Sequence, residues 1–258
     1  MKNIFAVAGV VIKELYRRKD FYVLFIITVL ICLVMASVNI FNDPKIARYL
    51  KEICLLLVWI SSLVIAITTT ARQIPAEREN RTLLPLLAKP LTRPQLIFGK
   101  FFGCWFACGL ALLCFYIFFG ALAAAREHQW PLLDYFQAAV MHWFMLGIVV
   151  AMTLLGSLVF AAPSSNSTIC FVIIGGILFV GRHLDQVATS MHEPLRAIVN
   201  ALYFTIPHLE FYDLRDLIIH NWPLIEWKYI VLALLYATAY IFAFLLGACL
   251  VFRRKPVN

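Results

Sequence analysis

Residues 135–181 read YFQAAVMHWFMLGIVVAMTLLGSLVFAAPSSNSTICFVIIGGILFVG and contain no Asp, Glu, Lys or Arg. A single helix of this length would measure roughly 70 Å at about 1.5 Å per residue, which is more than twice the hydrocarbon core of a bilayer. The cluster PSSNS at 163–167 has the residue types of a turn. We therefore predict two membrane spans here, at 135–162 and at 167–182, of which the second is short.

Other uncharged runs of 19 to 25 residues lie at 21–42, 53–71, 101–125 and 229–252. A spanning helix needs about 20 apolar residues, so each run is long enough for one crossing. With 63% hydrophobic and 14% charged residues, the chain has too little polar surface to cover a soluble globule. We predict an all-α polytopic membrane protein, one domain over residues 1–258, with six spans at about 21–42, 53–71, 96–125, 135–162, 167–182 and 229–252.

The distribution of basic residues predicts the orientation of these spans. With both termini in the cytoplasm, 14 of the 22 Lys and Arg residues lie on the cytoplasmic side, as the positive-inside rule requires. Five spans would instead place the C-terminus, with Arg253 and Arg254, outside. We therefore keep six spans. The net charge of +8 is then a signal of topology, and it gives no reason to expect a nucleic-acid partner.

The N-terminal residues 1–20 precede the first span and have a periodic apolar pattern. Ile4, Val7, Val11 and Leu15 share one face of a helix. Because such a helix buries its apolar face at the headgroup boundary, we predict an interfacial helix along the cytoplasmic surface of the membrane.

The outer segment, residues 183–228, separates the last two spans and is rich in aromatic side chains. These include Phe204, Phe211, Tyr212, Trp222 and Trp227. Trp and Tyr collect at membrane–water interfaces. We therefore favour an interfacial belt combined with an external lid, and a dedicated substrate site is the alternative.

The motifs of membrane enzymes and metal sites are missing from the chain. It has no His-Glu-x-x-His, no Gly-x-Ser-x-Gly and no paired carboxylates within a span. Gly99 and Lys100 are followed by Phe101, where a P-loop needs Ser or Thr. Cys104 and Cys108 lie one helical turn apart without a nearby His or carboxylate, which favours helix packing over a metal site. We predict no catalytic residue and no bound metal, and we expect that this chain alone does not hydrolyse nucleotide.

The middle of each predicted span lacks charged residues. Ion-driven carriers use such residues to couple the ion to the substrate. His142 is the nearest titratable candidate; we favour a hydrogen bond between helices, and a proton relay is the alternative. Any transport would therefore take its energy from another source.

Small residues at helical spacing predict close packing of two spans, either within the bundle or in a dimer. Gly99 and Gly103 form a Gly-x-x-x-Gly pattern at the start of the third span, and Ala239, Ala243 and Gly247 form a stripe on the sixth. Both patterns let helix backbones approach each other.

Residues 73–94 read QIPAERENRTLLPLLAKPLTRP and connect the second and third spans on the cytoplasmic side. Alternating charges at 75–81 are followed by an apolar patch at 82–88. Because four leucines are costly to leave in water, this patch packs on the bundle, on lipid or on a partner protein. The residues alone leave these three options open.

Three runs in and after this connection, residues 77–83, 86–93 and 98–102, together resemble the coupling region of ATP-binding-cassette permeases of the ABC-2 type. The family pattern is an acidic residue, Thr-Leu, Leu-Leu, Lys-Pro, Ser/Thr-Arg and a Gly-Lys that opens the next span. This chain has every element in order. Residues 13–18 resemble the family's entry helix, and residues 206–216 resemble its outer segment before the last span.

The resemblance implies a permease subunit that pairs with a second permease, identical or homologous, above two copies of a cytoplasmic P-loop ATPase. ATP and Mg would bind to the ATPase, and none of them to this chain. Residues 73–94 would form a coupling hairpin whose helix sits in a groove of the ATPase. The residues that the resemblance assigns to this contact are Glu77, Glu79, Arg81, Thr82, Leu83, Leu86, Leu87 and Arg93.

We therefore expect an ATP-driven exporter subunit in a bacterial-type plasma membrane, with both termini cytoplasmic and membrane lipid around its spans. The rival hypotheses are an ion-coupled carrier or channel, a membrane enzyme, and a membrane anchor that tethers an ATPase without transporting a solute. The transported substrate does not follow from one sequence, because apolar spans suit lipids, drugs, peptides and glycans alike.

Overall fold

The computed structural model describes residues 2–17, 19–37, 44–79, 92–127, 132–190 and 192–254, and every regular element within these ranges is a helix. In chain order the α-helices are α1 (Lys2–Tyr16), α2 (Lys19–Ser37), α3 (Pro44–Ala71), α4 (Pro75–Glu79), α5 (Arg93–Glu127), α6 (Leu132–Val159), α7 (Pro163–Ser190), α8 (Leu195–Thr205), α9 (Arg215–His220) and α10 (Trp227–Arg254). A short 3-10 helix, Leu209–Tyr212, precedes α9.

Among the described residues, four helical stretches are long and apolar enough to cross a membrane: Lys51–Glu79, Arg93–Ala124, Leu133–Val159 and Trp227–Arg254. Two shorter apolar stretches, Tyr22–Val34 and Pro163–Phe179, lie where the first and fifth spans were predicted. The prediction of an all-helical, polytopic membrane protein is therefore confirmed, and a crossing at all six positions stays a prediction.

Helix α6 lies at the centre of the bundle. It packs against α3, α5, α7 and α10, and the side chains of Met145, Leu146, Ile148, Val149, Val150 and Ala151 are each at most 1% exposed. A helix that is apolar on all sides lies either in a protein core or in a membrane, and α6 occupies the core of the bundle. Helices α2 and α10 instead expose rows of apolar side chains, including Ile26, Leu30, Leu33, Leu235, Phe242 and Leu246. Such rows suit contact with lipid or with another subunit.

The chain leaves α3 through a turn at 72–74, and α4 begins at Pro75. Proline has no backbone N–H to continue a helix and favours the first helical position, so the break falls immediately before it. The Gln73 N–H donates to the Thr70 carbonyl at 3.1 Å, and the Ala76 N–H donates to the Arg72 carbonyl at 3.0 Å. The turn therefore redirects the chain without leaving these two donors unpaired.

Helix α5 begins with a reciprocal cap. The Thr92 N–H donates to Gln95 Oε1 at 3.1 Å, and the Gln95 N–H donates to Thr92 Oγ1 at 3.4 Å. This arrangement is a capping box, and it satisfies two donors that a helix start otherwise leaves open.

Helices α6 and α7 form a hairpin whose turn occupies residues 160–162. The turn chemistry predicted at 163–167 belongs instead to the first turn of α7, which begins at Pro163. Asn166 is fully buried and donates from Nδ2 to the Thr153 carbonyl at 3.1 Å. Its side chain therefore joins the two helices in place of forming the turn.

Candidate functional site

A buried lysine joins α4 to α5. The Lys100 side chain is 3% exposed, and its Nζ lies 2.7 Å from Glu77 Oε1. The same Nζ donates to the Gln73 carbonyl at 3.1 Å and to Gln73 Oε1 at 3.2 Å. We call this arrangement of Gln73, Glu77 and Lys100 the lysine anchor.

Three oxygen acceptors in the lysine anchor match the three N–H donors of an ammonium group. A buried charge without partners is costly, and removing one member of a buried ion pair destabilises a protein by about 3 kcal/mol or more. The Glu77 side chain is 20% exposed, but its Oε2 is buried, so the carboxylate is largely shielded from water. The anchor therefore holds α4 firmly against the first turns of α5.

Arg93 joins the start of α5 to the end of α10. Its Nη1 donates to the Phe252 carbonyl at 2.7 Å and to the Arg253 carbonyl at 3.2 Å, and its guanidinium carbon lies 5.3 Å from the centre of the Phe252 ring. The last carbonyls of a helix have no partner within the helix and carry partial negative charge, so a guanidinium satisfies them well. Residues 80–91 are thus flanked by the lysine anchor on one side and by this cap on the other.

Gly99 and Gly103 face α1. A Cβ at position 99 would lie 2.7 Å from Val7 Cβ, and a Cβ at position 103 would lie 2.7 Å from Val11 Cβ. Real Cβ atoms do not approach that closely, so the Gly-x-x-x-Gly pattern lets α1 pack directly on α5. The start of α5 therefore contacts α1, α4 and α10.

The small-residue stripe of the last span is not part of the contact between α1 and α5. Ala239 and Ala243 are on the exposed side of α10. A Cβ at Gly247 would lie 3.7 Å from both Leu155 Cδ atoms, which is an ordinary packing distance. Within this chain the stripe contributes no close backbone approach at Ala239 or Ala243.

The other residues that the resemblance assigns to the ATPase contact are either exposed or outside the described residues. Glu79 is the last residue of α4, and it is exposed. Arg81, Thr82, Leu83, Leu86 and Leu87 lie outside the described residues. The structure therefore brings together Glu77 and Arg93 with partners in the bundle, and the assignment of the remaining residues stays a prediction.

Sequence reasoning did not identify Lys100 as a structural residue: it was considered as a cytoplasmic charge and as part of the Gly-Lys motif, without a partner. The local sequence FGKFFG places this lysine among apolar neighbours, seven residues after Arg93. A charge that far into a membrane helix needs a partner. The need of Lys100 for a counter-charge was therefore the signal in the sequence. The nearest acidic residues before Lys100 in the chain are Glu77 and Glu79.

Two tryptophans join α5 to α6. Trp105 Nε1 donates to the Trp143 carbonyl at 2.9 Å, and Trp143 Nε1 donates to the Trp105 carbonyl at 3.1 Å. Their rings stack with centroids 4.6 Å apart. Gly109 lies beneath the Trp143 ring, and Gly147 lies beneath the Trp105 ring.

We call Trp105, Gly109, Trp143 and Gly147 the tryptophan clasp. A Cβ at position 109 would lie 2.5 Å from Trp143 Nε1, and a Cβ at position 147 would lie 2.9 Å from Trp105 Nε1. Sequence reasoning missed this feature. Its signal is the repeated pattern Trp-Phe-x-x-Gly, which occurs at 105–109 and again at 143–147.

His142 lies in the bundle interior and is 2% exposed. Its Nε2 is 2.8 Å from Ser62 Oγ, and its Nδ1 is 3.5 Å from Tyr116 Oη. These partners belong to α3 and α5, so the histidine connects three helices. Hydrogen bonds of this kind hold membrane helices together.

Arg215 of the outer segment is held by an ion pair within that segment and contacts the bundle at Trp59. Arg215 Nε and Nη2 donate to the two carboxylate oxygens of Asp213 at 2.7 Å each, and the guanidinium carbon lies 5.1 Å from the centre of the Trp59 ring on α3. The hydrogen-bonded Asp213 carboxylate raises the pKa of Arg215, because it stabilises the charged guanidinium. The contact with Trp59 adds a cation–π interaction.

Two further contacts hold the outer segment in place. Tyr212 Oη donates to the Ala233 carbonyl at 2.7 Å, and burial raises the pKa of this phenol. Gln137 Nε2 donates to the Ile225 carbonyl at 3.0 Å, and Gln137 Oε1 accepts from the Ile225 N–H at 3.2 Å. The segment is therefore fixed to α6 and α10 as well as to α3.

Replacing Arg215 with methionine is expected to destabilise the protein by about 1–2 kcal/mol, because it leaves a half-buried carboxylate without its bidentate partner. The melting temperature of the purified protein in mild detergent measures this effect. Lys228→Met is the matched control, since its ion pair with Glu226 is exposed and such pairs contribute little. Equal melting temperatures for the two variants would contradict the prediction.

Within the ranges that the structure describes, no group of three or more His, Cys, Asp or Glu side chains is arranged to hold a metal ion. Cys104 and Cys108 are both buried in α5. Asp213, one of the outer acidic residues, is engaged by Arg215. The two cysteines are therefore packed in the bundle, and Asp213 takes part in an ion pair.

The comparison with known families covers almost the whole chain. The family model described as "ABC-2 family transporter protein" matches residues 5–257, from the first turn of α1 to the C-terminal residues. No curated protein matches the chain. The family match therefore includes the lysine anchor, the Arg93 cap and the outer segment.

Proposed function

The chain belongs to the ABC-2 family of transporter proteins, and from this membership we propose that it is the permease subunit of an ATP-driven exporter. The family supplies the membrane component of ABC-type transporters and generally partners with an ATP-binding subunit. In this proposal a separate ATPase hydrolyses ATP, and this chain forms part of the translocation path through a bacterial-type plasma membrane.

The observation that carries the proposal is the family match over residues 5–257. The architecture supports it, since residues 80–91 connect two elements that are both anchored in the bundle. A protein bound to residues 80–91 would therefore act on α4 and α5 directly. If α4 and the start of α5 were attached to the bundle only through the backbone, movement of residues 80–91 would displace these ends without moving the bundle.

We propose the following division of roles. Two permeases, identical or homologous, form the path with six spans each, and two ATPase copies bind beneath them with their ATP and Mg. Closure of the ATPase pair moves residues 80–91 of each permease, and the bundles switch between inward-open and outward-open states as rigid bodies. The apolar part of the ATPase contact is formed by Thr82, Leu83, Leu86 and Leu87, and Arg81 and the exposed Glu79 supply its polar anchoring.

Leu83→Arg is expected to abolish association with the ATPase, because a charge at the centre of an apolar contact is desolvated without a partner. The measurement is a pull-down of the tagged chain from its native host in mild detergent, with mass spectrometry of the bound proteins. Leu224→Arg is the matched control: the same substitution at an exposed position of the outer segment, on the opposite side of the membrane from the proposed contact.

A P-loop ATPase that accompanies the unmodified chain and Leu224→Arg, and is lost in Leu83→Arg, supports the proposal. An ATPase that binds equally to Leu83→Arg overturns the assignment of the contact. A chain that purifies without any ATPase and carries an ion-dependent flux in liposomes overturns the exporter, and His142 then becomes the residue to test.

A further inference from the structure

We infer that Lys100 is the positioning residue through which movement of the ATPase contact reaches the membrane helices. The inference deepens the proposed function and rests on it. Glu77 and Arg93, which the family resemblance assigns to the ATPase contact, serve in this account as internal attachments of the permease.

The lysine anchor lies at the point where the ATPase contact meets the bundle. Glu77 is in the first turn of α4, and α4 ends at Glu79, one residue before residues 80–91 begin. A displacement of these residues therefore acts on Glu77 over a distance of about one helical turn. Lys100 receives the displacement through a 2.7 Å ion pair and two hydrogen bonds to Gln73.

Burial decides between an internal and an external role for Glu77. If Glu77 left Lys100 to bind the ATPase, the Lys100 side chain, which is 3% exposed, would keep a buried charge without this counter-charge. That state is strongly disfavoured. Glu77 and Lys100 therefore stay paired while the ATPase opens and closes, and the pair acts as a fixed attachment.

Helix α5 is suited to carry the movement across the membrane. It runs for 35 residues from Arg93 to Glu127 without interruption, a length of about 50 Å at the rise of an α-helix. Its first turns also contact α1 through Gly99 and Gly103. The tryptophan clasp then joins α5 to the central helix α6.

Helices α4, α5 and α6 therefore move as one body. Lys100 connects the first two helices, and the clasp connects the last two. Without the Lys100 ammonium, α4 no longer carries α5 with it, and the ATPase acts on α5 only through the chain connection at Arg93. Binding of the ATPase and movement of the outer segment are then separable, which a purely structural role of Lys100 does not predict.

The experiment uses the permease–ATPase complex in lipid nanodiscs. Cysteines are introduced, one at a time, at the exposed outer positions Leu195, Phe204 and Trp222. Their labelling rate with a membrane-impermeant maleimide is compared with and without ATP and vanadate, which traps the closed ATPase pair. The variant is Lys100→Met, and Lys13→Met, an exposed lysine on α1, is the matched control.

We expect ATP and vanadate to change the labelling rate in the unmodified chain and in Lys13→Met. In Lys100→Met the ATPase still co-purifies and traps nucleotide, but the change in labelling rate falls by about tenfold, the size of a typical coupling between two sites. Exchange of the pair, Glu77→Lys with Lys100→Glu, restores part of the change. If Lys100→Met does not fold, the double variant Glu77→Gln with Lys100→Met, which leaves no buried charge, is measured in its place with the same expectation.

Several results would overturn the inference. One is a full labelling change in Lys100→Met, and another is loss of ATPase binding from a folded Lys100→Met, since Lys100 would then shape the contact itself. The absence of any labelling change at all three positions in the unmodified complex would show that no movement reaches the outer segment. Failure of the unmodified chain to bind an ATPase would instead overturn the proposed function, so the two failures are distinguishable.

Discussion

A valine at position 109 is expected to destabilise the helix bundle by about 3 kcal/mol, because overpacking against a rigid side chain leaves no room for relaxation. The new Cβ would lie 2.5 Å from Trp143 Nε1 and 3.0 Å from Trp143 Cδ1. The Trp143 ring cannot easily turn away, since it stacks on Trp105 and donates to the Trp105 carbonyl. Displacing the ring therefore breaks both the stacking and the hydrogen bond.

Gly109→Val is tested by heating the purified protein in mild detergent. Size-exclusion chromatography then measures the fraction that has not aggregated at each temperature. Gly120→Val is the matched control on the same helix, because a Cβ at position 120 meets no atom within 4 Å. We expect a clear fall of the melting temperature in Gly109→Val and little change in Gly120→Val. If both variants melt together, the tryptophan clasp does not contribute to stability.

Gly103→Leu is expected to detach α1 from α5. Its Cβ would lie 2.7 Å from Val11 Cβ and 3.0 Å from the Ala8 carbonyl oxygen. A backbone atom cannot move without moving its helix, so the collision acts on α1 as a whole. We expect the packing of α1 to weaken by about 1.5 kcal/mol, which raises the population of the detached state about tenfold.

The position of α1 is measured by thiol labelling at Val11→Cys, since Val11 is 2% exposed when α1 is packed. Labelling is expected to be about tenfold faster with Gly103→Leu present, as the detached state becomes more populated. Gly9→Leu is the control, because a Cβ at position 9 on α1 meets no atom within 4 Å. An unchanged labelling rate in Gly103→Leu would mean that α1 accommodates the larger side chain without detaching.

Hydropathy and charge were sufficient to predict the class of the protein. The uncharged run at 135–181 predicted two helices with a break near Pro163, and the structure has α6 and α7 separated by a turn at 160–162. The spacing of Gly99 and Gly103 predicted a close helix approach, and both glycines face valines of α1. The family resemblance at residues 77–102 agrees with the match over residues 5–257.

The same kind of pattern gave a different result on α10. Ala239, Ala243 and Gly247 have the spacing of a packing stripe, yet Ala239 and Ala243 are exposed in the monomer. Helix α10 is apolar on every side, and lipid tails are as apolar as leucine. Hydropathy therefore cannot identify which face of such a helix packs on the bundle.

Partners of charged residues were also beyond the reach of sequence reasoning. No pattern in the sequence indicated that the Glu77 carboxylate lies against Lys100, 23 residues later in the chain. Arg93 caps a helix that ends more than 150 residues after it. Such pairings depend on which helix ends meet in space, and no local pattern records that.

The division between sequence and tertiary structure has one physical origin. The free energy of placing a residue in hydrocarbon is a local property that adds along the chain, so the sequence alone determines that this protein is helical and membrane-embedded. Contacts between equally apolar helices depend on shape and on the direction of hydrogen bonds. Only the tertiary structure therefore decides that Lys100 faces Glu77, that Trp105 faces Trp143 and that Arg93 caps α10.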